Sequence, residues 1–194
     1  MGKIYVIMAK SATGKDTMYE AIKERAGKEF KKVVEYTTRP MRENEVSGQE
    51  HHFVNEEEFK RIQASGKLIE YRVYQTMHGP WYYFNVDDGQ FDLAKNDYLL
   101  ITTVEAYVNI RKYFGAEAVV PLYLEVSDKT RIHRALKRED EQSEPKYAEM
   151  CRRFLADNED YSDEKLKEAG ITVRYSDEDF EECLSKILEV ISGN

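Results

Sequence analysis

The chain has 194 residues, 41% hydrophobic and 34% charged, with 37 acidic against 29 basic side chains and a formal net charge of −8. That length predicts one domain with a substantial core, and the acidic balance disfavours a general nucleic-acid-binding surface while leaving room for a local basic cluster around a small phosphorylated ligand. No apolar run is long enough to span a membrane, and the 2 cysteines and 4 histidines lack the spacing of a zinc site.

Residues 3–8 are a short apolar run that reads as a buried strand and not as a signal peptide. Ala9-Lys10-Ser11-Ala12-Thr13-Gly14-Lys15-Asp16-Thr17 follows, running into a helical pattern over residues 16–26. A small-residue loop between strand and helix is where a phosphate-binding loop belongs. Its backbone N–H groups turn inward at a helix N-terminus, and Lys15 reaches the β- and γ-phosphates of a nucleotide. The pattern G-x-x-x-x-G-K-[ST] is met with two substitutions. Ala9 takes the first glycine, and Asp16 the hydroxyl residue that normally meets Mg²⁺. The metal contact then falls to Asp16, directly or through water, or to Thr17.

A strand is expected over residues 32–36. A polar stretch, 37–48, carries the turn signals Arg39-Pro40 and Ser47-Gly48. Then come a short strand (52–54), a helix (56–64) and strands over 67–75 and 81–84, so residues 37–84 read as a β-rich insert with one helix. Alternation resumes with a helix (87–95), a strand (98–102), a helix (105–114), a strand (118–125) and a helix (128–138) capped by Ser127 or Asp128. An acidic break over 139–145 ends in Pro145, before a helix (146–159), a strand (171–175) and a last helix (178–191). Cys151 and Cys183 fall in helical patterns and read as a reduced cytosolic pair. Such alternation implies a parallel sheet covered on both faces, with the ligand at the carboxyl ends of its strands.

Arg39 and Arg42 lie three residues apart on a Pro-containing loop, and their guanidinium forks suit phosphate oxygens. The stretch from Thr37-Thr38-Arg39 to Phe53 matches T-T-R-x-x-R-x-x-E-x-x-G-x-x-Y-x-F except that His51 stands at the tyrosine. With the loop upstream, the chain resembles the guanylate kinase family over nearly its whole length. The resemblance implies a P-loop NTPase-like three-layer α/β fold with a central parallel sheet. One domain would comprise a core (1–36, 85–138 and 160–194), a monophosphate-binding insert (37–84) and a helical lid (about 139–159).

The same resemblance gives roles to residues. Arg39 and Arg42 would clamp the acceptor phosphate with His51, and Glu70 would accept from the N1–H and 2-amino donors of guanine. His78-Gly79-Pro80-Trp81-Tyr82-Tyr83-Phe84 resembles G-x-Y-Y-G, one residue longer; Tyr83 takes the phosphate-binding role, with Tyr82 as the alternative. Arg134 and Arg138 fall on the family's R-x-x-x-R and Arg153 on the lid arginine of the next helix. With Lys15 and Arg39 they would surround the moving phosphoryl group. Arg131, Lys137 and Arg152 read as solvated spare charges.

Two departures stand out. Where the family has D-I-D-x-Q-G, this chain has Ile101-Thr102-Thr103-Val104-Glu105-Ala106, so Ile101 and Thr103 replace both aspartates. The family's serine two positions before T-T-R is Glu35. Both positions are linked to the acceptor site. The expected activity is cytoplasmic phosphorylation of GMP or dGMP by ATP with Mg²⁺, without a nucleic-acid polymer or membrane as partner. A kinase for another phosphorylated acceptor, such as ribose 1,5-bisphosphate, stays open, as do a non-catalytic binding module and the choice of monomer or dimer.

Overall fold

A computed structural model describes residues 1–76 and 79–193. In chain order the elements are β1 (Ile4–Ala9), α1 (Lys15–Arg25), β2 (Phe30–Lys31), β3 (Tyr36–Thr37), β4 (His52–Phe53), α2 (Glu56–Ala64), β5 (Leu68–Thr76) and β6 (Gly79–Val86). They continue with β7 (Asp97–Ile101), α3 (Val104–Phe114), β8 (Val119–Glu125), α4 (Asp128–Asp140), α5 (Tyr147–Asp160), α6 (Asp163–Glu168), β9 (Arg174–Ser176) and α7 (Phe180–Ser192).

β1 is buried along its whole length and sits at the centre of a parallel sheet ordered β2-β7-β1-β8-β9. Side chains alternate across a strand, so β1 feeds two cores. Ile4, Val6 and Met8 pack with Val104, Tyr107 and Ile110 of α3 and Leu166 of α6. Tyr5, Ile7 and Ala9 pack with Met18 and Ile22 of α1 and Leu184, Ile187 and Ile191 of α7. Each large apolar side chain buried this way contributes roughly 1.5–3 kcal/mol. The result is the expected three-layer α/β fold.

A second sheet, ordered β4-β3-β6-β5, is mixed: β3 runs parallel to β4, and β6 antiparallel to both β3 and β5. Its small core is Phe59 of α2 with Phe84 and Val86 of β6. Phe59 and Tyr82 stack with centroids 4.2 Å apart.

Three expected elements differ, and one helix is additional. Residues 32–36 are not one strand: β2 ends at Lys31 and β3 starts at Tyr36, in the other sheet. Between them, Val34 N–H donates to Gln90 Oε1 at 2.8 Å, and Gln90 Nε2 donates to the Val34 carbonyl at 3.3 Å. A side-chain amide thus replaces a strand neighbour. Residues 87–95 form turns and no helix. There Gly89 has φ +96° and Asp92 accepts from Ala94 N–H, a local bond that competes with helical pairing. The last strand begins three residues late, because Gly170 (φ +72°) ends α6 and Ile171 drops into the core. α6 itself was not foreseen; Ser162 caps it by accepting from Lys165 N–H. His78 lies outside the described residues.

Candidate active site

The loop between β1 and α1 is shaped by two left-handed residues, Ala12 (φ +62°) and Gly14 (φ +114°). The φ of Gly14 strains any residue with a side chain, and a Cβ there would also lie 2.9 Å from Asp177 Oδ2. Ala9 is the last residue of β1 and buried, which explains why alanine serves at the first glycine position. Lys15 opens α1, its Nζ 3.2 Å from Asp16 Oδ2, while the Asp16 side chain is 81% exposed. Thr17 is exposed on the same first turn. Thr13 is buried, and its Oγ1 has no partner among the described residues.

α4 and α5 are fastened to this loop. Arg131 is 1% exposed, which corrects its reading as a solvated charge. Its Nε donates to the Ser11 carbonyl at 3.0 Å, and its two terminal nitrogens to Asp128 and Asp157 at 2.7 and 2.9 Å. The guanidinium also lies over the Phe154 ring, 4.5 Å from its centroid. Ser11 N–H donates to Asp157 Oδ2 at 2.7 Å, and Lys10 Nζ to Asn158 at 2.9 Å. Arg152 is exposed and paired with Glu149, and Lys137 is exposed, as expected.

Arg134 Nη1 donates to the Thr13 carbonyl at 2.5 Å and stands 3.8 Å from Asp177 Oδ2. Asp177 is buried, which raises its carboxyl above the usual range, and its Oδ1 is unpartnered among the described residues. Arg138 and Arg153 line a cleft of about 500 Å³ together with Ser11. Arg134 therefore meets the loop at Thr13, while Arg138 and Arg153 share a cleft with Ser11.

A second cluster lies on the smaller sheet. Arg39 is 4% exposed. Its Nε donates to the Tyr83 hydroxyl at 3.1 Å, and its terminal nitrogens fork onto Glu45 at 2.9 and 2.6 Å. The Arg39 fork, with a bond from Arg42 N–H, holds the Glu45 carboxyl down at about 2. Arg42 is exposed. His51 sits edge-on to Tyr83 at 5.6 Å, and burial with Arg39 nearby lowers its pKa. Tyr82 is spent on the stack with Phe59, so of the two tyrosines it is Tyr83 that faces Arg39.

Glu70 is buried on β5. It accepts from Asn85 Nδ2 at 2.6 Å and from Arg72 Nε and Nη2 at 3.3 and 3.4 Å. Burial, with Glu105 nearby, pushes its carboxyl up to about 7 against the pull of Asn85. Arg72 also pairs with Glu35. Arg72, Thr103 and Glu105 share a cleft of about 640 Å³ between β5 and α3. Thr103 caps α3, its Oγ1 accepting from Ala106 N–H at 3.3 Å. Ile101 faces a smaller cavity of about 220 Å³ with Glu35 and Asn85.

Sequence reasoning missed Glu45, Arg72, Asn85, Arg131, Asp157 and Asp177 as neighbours of these clusters. Glu45 stood in the matched motif, and Arg72 lies two residues from Glu70 on one strand face. The others carry no local signal.

A strand–loop–helix phosphate cradle at the carboxyl end of a central parallel strand, with arginines from later helices converging on it, defines the P-loop nucleotide-kinase class. A family profile described as guanylate kinase matches residues 1–193. This chain belongs to the guanylate kinase family. It is 30% identical over 145 residues to a guanylate kinase of Chlorobaculum tepidum, covering 73% of this chain and 71% of that protein. It is 41% identical over 73 residues to one of Lactobacillus delbrueckii subsp. bulgaricus, 38% of this chain and 36% of that protein. The crystal structure of guanylate kinase from Anaplasma phagocytophilum shares the fold, with a TM-score of 0.62 and 19% identity over 99% of this chain and 85% of that one. No helix among the described residues is long and apolar enough to cross a membrane.

Proposed function

We propose that this protein transfers the γ-phosphoryl group of ATP to the phosphate of GMP or dGMP. The observation that carries the reading is the pairing of two clusters: arginines around a phosphate loop, and on the smaller sheet a buried carboxylate, Glu70, near the phosphate-suited Arg39, Arg42 and Tyr83. The smaller sheet with α2 acts as the acceptor-binding insert, and the segment from about 139 to 159, the end of α4 with α5, as the lid. Lys15 and the loop amides hold the donor phosphates. Arg134, Arg138 and Arg153 offset the charge that spreads over the moving group. The acceptor phosphate is the nucleophile, so the protein's work is positioning, charge and exclusion of water.

Asp16 and Thr17 offer hard oxygen donors at the mouth of the loop, Asp16 largely exposed, and these fit a cation that takes most of its ligands from phosphates and water. When bound there, Mg²⁺ would neutralise charge on the donor phosphates.

ADP release is measured with ATP and Mg²⁺ against GMP, dGMP, AMP, UMP, CMP and ribose 1,5-bisphosphate. Turnover with the guanine nucleotides supports the reading. Turnover only with ribose 1,5-bisphosphate replaces it by the second reading, which is favoured by Ile101 and Thr103 at the aspartate positions and by the cationic Arg72 across Glu70. Nucleotide binding without turnover points to a binding module.

A further inference from the structure

Glu70 is not open to the cleft: its side chain is 0% exposed, and the Arg72 guanidinium lies against it. The same guanidinium pairs with Glu35, and the Arg72 side chain, 13% exposed, lies on the wall of the 640 Å³ cleft. Glu70 and Arg72 are two apart on β5 and share a face. An ionised carboxylate only accepts hydrogen bonds, and a guanidinium only donates them. The edge of guanine presents one acceptor, O6, beside two donors, N1–H and the 2-amino group. Glu70 suits the donors. Glu35, also acceptor-only, would repel O6 if it stood alone. Arg72 neutralises Glu35 and brings a donor next to Glu70.

We propose that Arg72 determines base specificity, donating to the 6-oxo oxygen of the acceptor purine while Glu70 accepts from N1–H and the 2-amino group. The inference rests on the GMP reading above. Glu35 keeps hold of the guanidinium when the base takes over Glu70, so one set of charge-assisted bonds is exchanged for another. Adenine reverses the pattern at both points. Its 6-amino group sets donor against donor at Arg72, and its N1 sets acceptor against acceptor at Glu70. Leaving buried polar groups unpaired in this way is how a site rejects the wrong base.

The test uses steady-state kinetics with GMP and 6-thio-GMP, which keeps both donors but replaces O6 with a weaker acceptor, on the unaltered protein, Arg72→Ala and Glu35→Ser/Arg72→Ala. Arg72→Ala should raise KM for GMP about tenfold or more, the cost of losing a hydrogen bond to a charged donor. KM for ATP and the melting temperature serve as controls for folding. The preference for GMP over 6-thio-GMP should collapse in Arg72→Ala. The double variant removes the stranded charge and supplies a hydroxyl donor, so it should regain GMP affinity. An unchanged GMP to 6-thio-GMP ratio in Arg72→Ala, or no gain in the double variant, overturns the role of Arg72. Failure of the unaltered protein to use GMP overturns the function reading itself, so the two failures are distinguishable.

Discussion

Arg39 and Glu45 meet fork to fork, at 2.9 and 2.6 Å, six residues apart on one loop. The carboxylate lies where an anionic ligand of Arg39 would be drawn, and it holds the planar guanidinium in one orientation while Tyr83 accepts from its Nε. Glu45 is thus a positioning residue for Arg39. Glu45→Gln should lower melting temperature and raise KM for the acceptor more than KM for ATP. The folded carboxyl is held at about 2, below its ordinary 4.5, so the pair's contribution to stability is full above about 4.5 and lost as pH falls toward about 2. The difference in melting temperature between the two proteins should shrink across that window; a constant difference would mean that the charge is irrelevant.

Glu70 gives the opposite sign. Its carboxyl is raised to about 7, so its proton is still held at mildly acidic pH, where it presents a donor to the donors of guanine. KM for GMP should fall as pH rises through about 7, and in Glu70→Gln the part of this dependence due to the carboxyl should vanish, leaving only the titration of the acceptor phosphate itself. The same profile in both proteins would assign the effect to the phosphate and not to Glu70.

Among the described residues the Lys15 ammonium pairs only with Asp16, so its removal costs the fold little. Lys15→Ala should cut kcat by about a hundredfold or more, the scale of losing one preorganised donor at developing charge, with an unchanged circular dichroism spectrum. Full activity would sink the phosphate-loop assignment.

Gly14→Ala tests the loop's shape. Its φ of +114° strains an alanine, and the methyl group would press on Asp177 Oδ2 at 2.9 Å. Backbone strain of this kind costs about 1–3 kcal/mol. Equilibrium denaturation should show that loss, together with weaker ATP binding by calorimetry.

Arg131 is the structural counterpart of the exposed arginines. Arg131→Ala leaves the Asp157 carboxylate without its cation, held only by the Ser11 N–H, and frees the Ser11 carbonyl, so it should destabilise by about 3 kcal/mol in a urea titration. Arg152→Ala removes only an exposed pair with Glu149 and should change stability by about 1 kcal/mol or less.

These contrasts mark what could be read along the chain. The phosphate loop was legible because its parts are neighbours: an apolar strand, small residues, Lys15 and a helix start. The arginine motif from Arg39 to Arg42 was legible for the same reason. The helix expected over residues 87–95 failed because Asp92 and Gln90 spend their side chains on backbone groups, and Gln90 reaches Val34, 56 residues away. Arg131 read as a spare, solvated charge because the partners that bury it, Ser11 and Asp157, lie 120 and 26 residues away in the chain.

Local periodicity and motif spacing by themselves determined the alternating α/β order, the parallel core, the phosphate loop and the family resemblance, since each depends on residues within a turn or a strand of one another. Only the tertiary structure decided which charges are buried. Arg131 meets Ser11 across 120 residues, and Arg72 on β5 meets Glu35, which lies in the segment leading into β3. A guanidinium's worth depends on the carboxylates and carbonyls that replace its water, and that replacement is fixed by packing between distant segments, not by the residues beside it in the chain.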